Sequence, residues 1–156
     1  MRRYIALVSA MIFCTSLGVA QNQKIINDFS RTGYMSGIKL SFVLLIDPTI
    51  DILFTGPSKD TIKEKVNGRT TFFIMGTADK NIKLNTNFVV VQDEEKITGS
   101  ITNIKGFEDG DVAKGQKVSG LLHLDKKLNF NRPFTIKGSG GVLDFSLSTD
   151  ALRMMP

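Results

Sequence analysis

The sequence predicts an all-β fold, a single antiparallel β-sandwich with little helix, preceded by a cleaved signal peptide. Two observations predict the β fold. Short apolar runs follow one another closely over residues 35–148, and several alternate with polar residues as half-buried strands do. Gly, Asn, Asp and Pro separate the runs. About nine strands result, a number that fits a sandwich or a barrel-like closure equally well.

The N-terminus has the layout of a secretory signal peptide. Arg2 and Arg3 precede an apolar run over residues 4–17, and the small-residue stretch 18–20 ends before Gln21. The run is shorter than the roughly 20 apolar residues of a membrane-spanning helix. We therefore expect residues 1–20 to be removed, leaving residues 21–156 as one secreted or periplasmic β domain with no stable membrane span.

Composition restricts the functions of the processed chain. Removing residues 1–20 takes away two of the 20 basic residues and none of the 15 acidic ones, so the net charge falls from +5 to +3. That mild charge gives no reason to expect nucleic acid binding. Cys14 is the chain's one cysteine, and bulky Phe13 before it disfavours lipid attachment. The processed domain then has no thiol and no disulfide, and it has no N-x-S/T site, which favours a bacterial envelope.

The first predicted strands lie between residues 38 and 55. Residues 38–46 alternate at first and then become apolar on both faces, as in a central strand. Asp47 and Pro48 end that strand, because proline cannot donate a hydrogen bond to a sheet. Residues 50–55 form a second apolar run, which we interpret as a strand ending at the turn Gly56-Pro57.

Residues 58–68 fit two interpretations. Ser58 could cap a short helix that ends before Gly68. Alternatively, Asn67-Gly68 could form the turn of a hairpin between residues 61–66 and 69–75, since Asn-Gly suits a type I′ turn. We favour the hairpin.

The rest of the chain continues the strand pattern. A polar loop covers residues 106–115, and Ser148 could cap a C-terminal helix that covers an open end of the core. The predicted strands of this part are residues 82–91, 97–104, 118–124, 128–130, 134–136 and 142–147.

Groups suited to catalysis or metal binding are few. His123 is the only histidine, and no G-x-S-x-G motif accompanies it, so a Ser-His-Asp triad is disfavoured. Residues 108–111 form an acidic stretch without EF-hand spacing, which we interpret as a solvated turn. Lys126, Lys127, Arg132 and Lys137 form a modest basic cluster that could meet an anionic headgroup or polymer. We expect no catalytic residue, no metal and no cofactor.

Strands that are apolar on both faces give the one indication of function. A two-layer sandwich buries a single face of each sheet, so the second face must meet a terminal segment, a protein partner, a second copy or an apolar ligand. We expect a non-enzymatic exported module that acts through protein–protein contacts. The alternative is a carrier that holds an apolar ligand such as a lipid inside a barrel. The candidate contact residues are Phe42, Leu44, Phe73, Met75, Val89 and Val91.

Overall fold

A computed structural model describes residues 18–156. The fold is mostly β, with 42% strand and 24% helix in three antiparallel sheets. The prediction of a mostly β domain is therefore confirmed, whereas the expectation of little helix is wrong. None of the sheets formed by residues 18–156 closes into a barrel.

Eleven strands and four helices lie within the described residues. The strands are β1 Ser30–Met35, β2 Ile38–Leu44, β3 Thr71–Thr77, β4 Ile82–Leu84, β5 Val89–Gln92, β6 Glu95–Ile97, β7 Gly99–Lys105, β8 Gly110–Val112, β9 Lys117–Leu124, β10 Phe134–Gly138 and β11 Gly141–Phe145. The helices are α1 over residues 18–28, α2 Asp47–Leu53, α3 Pro57–Val66 and α4 Thr149–Arg153.

Two sheets form the sandwich-like body. The larger has the order β1-β2-β3-β9-β7, the smaller has the order β11-β10-β5-β6, and β4 pairs with β8 as a separate ribbon. Phenylalanine rings fill the core. Phe72 of the larger sheet contacts Phe134 and Phe145 of the smaller sheet, with ring centroids 5.9 and 5.6 Å away. This packing buries the inner faces of both sheets.

Helices α2 and α3 cover part of the outer face of the five-stranded sheet. The buried side chains of Ile50 and Ile62 in these helices form a second apolar cluster with Leu45, which follows β2, and Leu121 of β9. Asp51 links the two helices through Lys59 and Lys63, at 2.8 and 3.0 Å. The hydrogen bonds from these ammonium groups lower the pKa of the Asp51 carboxyl. For this part of the larger sheet the second cover is therefore a pair of helices from the middle of the chain, rather than the terminal segment, partner or ligand that was expected.

The strand predicted over residues 50–55 is wrong. Residues 47–53 form α2 instead, with Pro48 in its first turn, where a missing N–H costs nothing. The Thr49 hydroxyl accepts from the Ile46 N–H at 2.9 Å and lies 2.8 Å from the Leu44 carbonyl oxygen, to which it donates. Strand β2 ends earlier than predicted, at Leu44, and Pro48 lies in the first turn of α2.

The hairpin predicted around Asn67-Gly68 is also wrong, and the helical alternative is the one found. A type I′ turn needs positive φ at both central residues. Asn67 has a φ of −57°, and Gly68 alone is left-handed, at +73°. Gly68 therefore follows the end of α3 as a helix-terminating glycine. Strand β3 pairs with β2 and β9 rather than with residues 61–66.

Smaller differences concern strand boundaries. Residues 82–91 divide into β4 and β5, residues 128–130 form no strand, and β1 was not predicted. The C-terminal helix is confirmed. The Ser148 hydroxyl accepts from the Ala151 N–H at 3.1 Å, and Leu152 and Met155 pack against the main core.

The predicted polar loop 106–115 contributes a core residue and a strand. Phe107 is fully buried, with its ring stacked on Phe88 at a centroid distance of 6.1 Å. A Cβ at Gly120 would lie 2.7 Å from the Phe107 ring, so glycine makes the room that this ring occupies. The loop is thereby held to the sandwich by an aromatic anchor.

We expect Phe107→Ala to lower the free energy of unfolding by about 3–5 kcal/mol, because it removes a buried ring and leaves a cavity. Urea unfolding followed by circular dichroism measures the change. Ile104→Ala is the matched control, since Ile104 is 48% exposed on edge strand β7. Ile104→Ala should lower the free energy of unfolding by less than about 1 kcal/mol. Equal costs for the two variants would contradict the assignment of Phe107 to the core.

Candidate functional site

The six residues predicted to form an interaction surface do not lie on one surface. Phe42 and Leu44 are buried in the main core between the sheets. Phe73 lies on the opposite face of the larger sheet and packs against the helix-covered cluster, with its ring 5.2 Å from that of Phe54. Core packing and the α2–α3 cover thus account for the apolar character of these three residues.

Met75, Val89 and Val91 remain half-buried in two other places. Met75 is paired in register with Ser41 and Ser119 on the half of the larger sheet that α2 and α3 leave open. Val89 and Val91 alternate with buried positions of β5, so they face away from the core. Val142, 60% exposed, shares that outer face. The predicted surface is therefore divided into separate small patches.

A large cleft lies where α2, α3, the loop 127–131 and the C-terminal segment meet. We call it the terminal cleft, and its volume is about 870 Å³. Leu128, Phe130, Leu152 and Met155 give it apolar walls. Of the six predicted residues, Leu44 alone lines it. A cavity of this size and character is typical of ligand-binding sites in proteins.

Charged side chains also line the terminal cleft. Lys63 is engaged by Asp51, as described above, and Asp47 and Glu64 are the acidic lining residues. Arg69 and Lys127 form no ion pair with any residue in the part of the chain that the structure describes. The cleft therefore combines apolar walls with two cations open to an acidic ligand.

Beside the terminal cleft, three polar residues form a row across the larger sheet. Thr71, His123 and Ser100 are directly opposite one another on β3, β9 and β7. His123 is 6% exposed, and its Nδ1 lies 3.0 Å from the hydroxyl oxygen of fully buried Thr71. The row lies at the border of the helical cover.

Two smaller clefts meet at this row. One lies toward residues 124–127 and the other toward α3, and His123, Ser100 and Arg69 line both. Burial of the imidazole lowers the pKa of His123, and the positive charges of Arg69 and Lys65 lower it further. Both effects disfavour the protonated form of the imidazole.

Arg69 lines all three of these clefts. Sequence reasoning missed this residue, since it read position 69 as the first residue of a strand. Arg69 lies at this position because Gly68 follows the end of α3 and turns the chain toward β3. The clefts that meet there are formed by residues distant in the sequence, so no local sequence pattern predicts them.

Three of the other charged groups considered from the sequence have partners in the structure. Asp109 of the acidic stretch accepts hydrogen bonds from the Thr86 N–H and hydroxyl at 2.6 and 2.9 Å, which lower the pKa of its carboxyl. In the basic cluster, Lys126 is paired with Glu95 and Arg132 with Asp93. Over residues 18–156, no three or more His, Cys, Asp or Glu side chains are grouped so that they could hold a metal ion.

No family model, curated protein or solved structure matches the chain. Across the described helices, none combines the length and apolar character needed to cross a membrane. The candidate site is accordingly defined by geometry and chemistry: the terminal cleft, with the His123 row beside it.

We expect acidification from pH 7.5 to 5.5 to destabilise the wild-type domain more than His123→Gln. The folded state holds the pKa of His123 below its ordinary value of 6.5. The unfolded chain therefore binds a proton as the pH falls through 6.5, whereas the folded chain binds it only at lower pH, so stability present above pH 6.5 is lost as the pH falls toward the folded-state pKa.

Urea unfolding of both proteins at pH 7.5, 6.5 and 5.5 measures the difference. Glutamine keeps an amide for hydrogen bonding with Thr71 but does not titrate. The free energy of unfolding of His123→Gln should therefore change less with pH over this range than that of the wild type. Parallel pH dependences of the two proteins would show that His123 is not the group responsible.

Proposed function

We propose that the protein is an exported, non-enzymatic binding module that acts through protein–protein contacts. The observation that supports this proposal is the terminal cleft, with its apolar walls and with Arg69 and Lys127, which form no ion pair within residues 18–156. The occupant we infer is a segment of a protein partner that places an apolar side chain in the cleft and an acidic side chain next to Arg69 and Lys127.

Charge and shape both favour such a segment. Burial of an apolar side chain against Leu128, Phe130 and Leu152 would provide most of the binding free energy, at roughly 25 cal/mol per Å² removed from water. A carboxylate next to Arg69 would gain a charge-assisted hydrogen bond and fix the direction of the segment. A lysine or arginine side chain of the partner would be repelled by Arg69 and Lys127.

Export is supported by the N-terminal sequence and by the exposure of the residues at the proposed cleavage site. The apolar run over residues 4–17 lies outside the described residues. In the small-residue stretch that follows it, Val19 is 70% exposed, and a Cβ at Gly18 would meet no atom of residues 18–156 within 4 Å. Ile25 and Phe29, which do contact the core, lie beyond the proposed cleavage point. Cleavage after Ala20 would therefore leave the core intact.

A second candidate function is that of a carrier for an apolar ligand, such as a lipid. The expectation that the ligand would bind inside a barrel is wrong, because the sheets of residues 18–156 do not close and phenylalanine rings fill the space between them. The terminal cleft is the other place where an apolar ligand would bind. Its volume and apolar walls suit an acyl chain, and Arg69 suits an anionic headgroup.

Site-specific photo-crosslinking tests which occupant the cleft takes. A photoreactive residue replaces Leu152 in the cleft or, as the matched control, Val142 on the outer face of the smaller sheet. In the native envelope, we expect position 152 to form a discrete crosslink to one protein, at least about tenfold above position 142. Arg69→Glu should reduce that crosslink by a similar factor.

The crosslinked peptide then decides between the proposals. A partner segment with an apolar residue beside Asp or Glu, whose synthetic peptide binds the wild type but not Arg69→Glu, supports the protein-binding proposal. A crosslink to a second copy of this chain, or to a lipid that co-purifies in native mass spectrometry, would replace that proposal with self-association or ligand carriage. Equal labelling at positions 152 and 142 would contradict a site in the cleft.

Export is tested by the intact mass of the protein recovered from the periplasm or the medium. We expect a chain that begins at Gln21, because cleavage follows the small-residue stretch 18–20. Replacing Ala20 with Phe should block processing and leave the precursor with the membrane fraction. A soluble exported chain that keeps residues 1–20 would contradict the signal peptide.

A further inference from the structure

We propose that His123, Ser100 and Arg69, with Lys65 beside them, form a binding site for a small oxyanion, a phosphate or a carboxylate group. This site adjoins the terminal cleft, and Arg69, Lys127 and Glu64 line both, whereas His123, Ser100 and Lys65 do not line the terminal cleft. The inference does not depend on the protein-binding function proposed above.

The first argument is an uncommitted nitrogen on a buried histidine. Nδ1 of His123 is engaged by Thr71, and Nε2 has no hydrogen-bond partner among the described residues. In the same part of the chain, every fully buried side-chain nitrogen or oxygen has a hydrogen-bond partner. Because Nε2 has none, it is not fully buried. It therefore reaches the water of the clefts that the imidazole lines, where a ligand can meet it.

The second argument is that Nε2 can donate a hydrogen bond in both protonation states. When the imidazole is neutral, the Thr71 hydroxyl can donate to Nδ1, which places the ring proton on Nε2. When it is protonated, both ring nitrogens donate and the Thr71 oxygen accepts. Fully buried Thr71 thus fixes the ring while its hydroxyl adapts to either state.

The third argument is the surrounding charge. Lys65 and Glu64 of α3 line the cleft on one side, and Asp125, Lys126 and Lys127 line the other. Arg69 lies between them.

Lys126 is paired with Glu95, whereas Asp125 keeps its negative charge while it accepts from the Thr98 hydroxyl at 2.7 Å. The remaining charges are Arg69, Lys65 and Lys127 against Glu64 and Asp125. This excess of cations favours an anion, and Ser100 supplies an exposed hydroxyl donor on the same row.

Anion binding and histidine protonation are then coupled. An anion beside Nε2 favours the charged imidazolium, so it raises the pKa of His123 from its lowered value. By reciprocity, protonation of His123 tightens anion binding. An anion whose own charge does not change over this range should therefore bind more strongly at pH 5.5 than at pH 7.5.

NMR titration of the imidazole tests the site directly. The chain has one histidine, so a tag-free domain gives a single pair of imidazole C–H signals. At constant ionic strength, we expect inorganic phosphate to shift these signals saturably and to raise the pKa of His123. Sodium chloride should not do so. A parallel titration with acetate shows whether the site prefers a phosphate or a carboxylate.

Two variants locate the effect. Arg69→Gln should weaken phosphate binding at least about tenfold, as expected for loss of a charged hydrogen-bond donor. Lys137→Gln is the matched control, because Lys137 is an exposed cation on the outer face of the smaller sheet. It should leave binding unchanged. Unfolding midpoints check that both variants fold.

The proposal is overturned if phosphate and chloride shift the histidine signals alike. It is also overturned if Lys137→Gln weakens the effect as much as Arg69→Gln does. Neither result depends on the crosslinking experiment, because the titration uses the purified domain and requires no protein partner.

Discussion

The need to cover both faces of strands β2, β3 and β9 organises this molecule. Val43, Phe73 and Leu121 form an apolar row on the outer face of the larger sheet, while the inner face is already packed against the smaller sheet. Leaving such a row in water would forfeit several kcal/mol of hydrophobic stabilisation. Helices α2 and α3 satisfy this need, and their placement decides where the clefts form.

The helical cover ends where polar residues begin. Next to the covered Phe73–Leu121 pair lies the Thr71–His123 pair, and Ser100 extends the row to edge strand β7. Gly68 ends α3 at this border and Arg69 follows it. A structural cover and two candidate binding sites therefore meet at one short connection, which explains why one arginine lines three clefts.

The candidate site was only partly accessible to sequence reasoning. The doubly apolar pattern correctly indicated that the larger sheet needs a second cover, but helices α2 and α3 supply it rather than a terminal segment, a partner or a ligand, and Val89 and Val91 of β5 are only half-buried. Phe42, Leu44 and Phe73 were then offered as a surface, although core packing and the helices bury them. His123 was recognised as the only histidine, but its partner Thr71 lies 52 residues away in the chain and is paired with it through the sheet. Arg69 carried no local signal at all.

The sequence by itself determined the elements whose signals are local. Alternation predicted strands such as β2 and β9, and Ser148 predicted the capped C-terminal helix, because side-chain periodicity and capping act within a few residues. Only the tertiary structure decided that residues 47–66 are helices rather than strands. Short apolar runs fit either state, and the choice depends on burial against Leu45 and Leu121. The clefts also depend on the tertiary structure, because they are lined by residues that are distant in the sequence and that only the fold brings together.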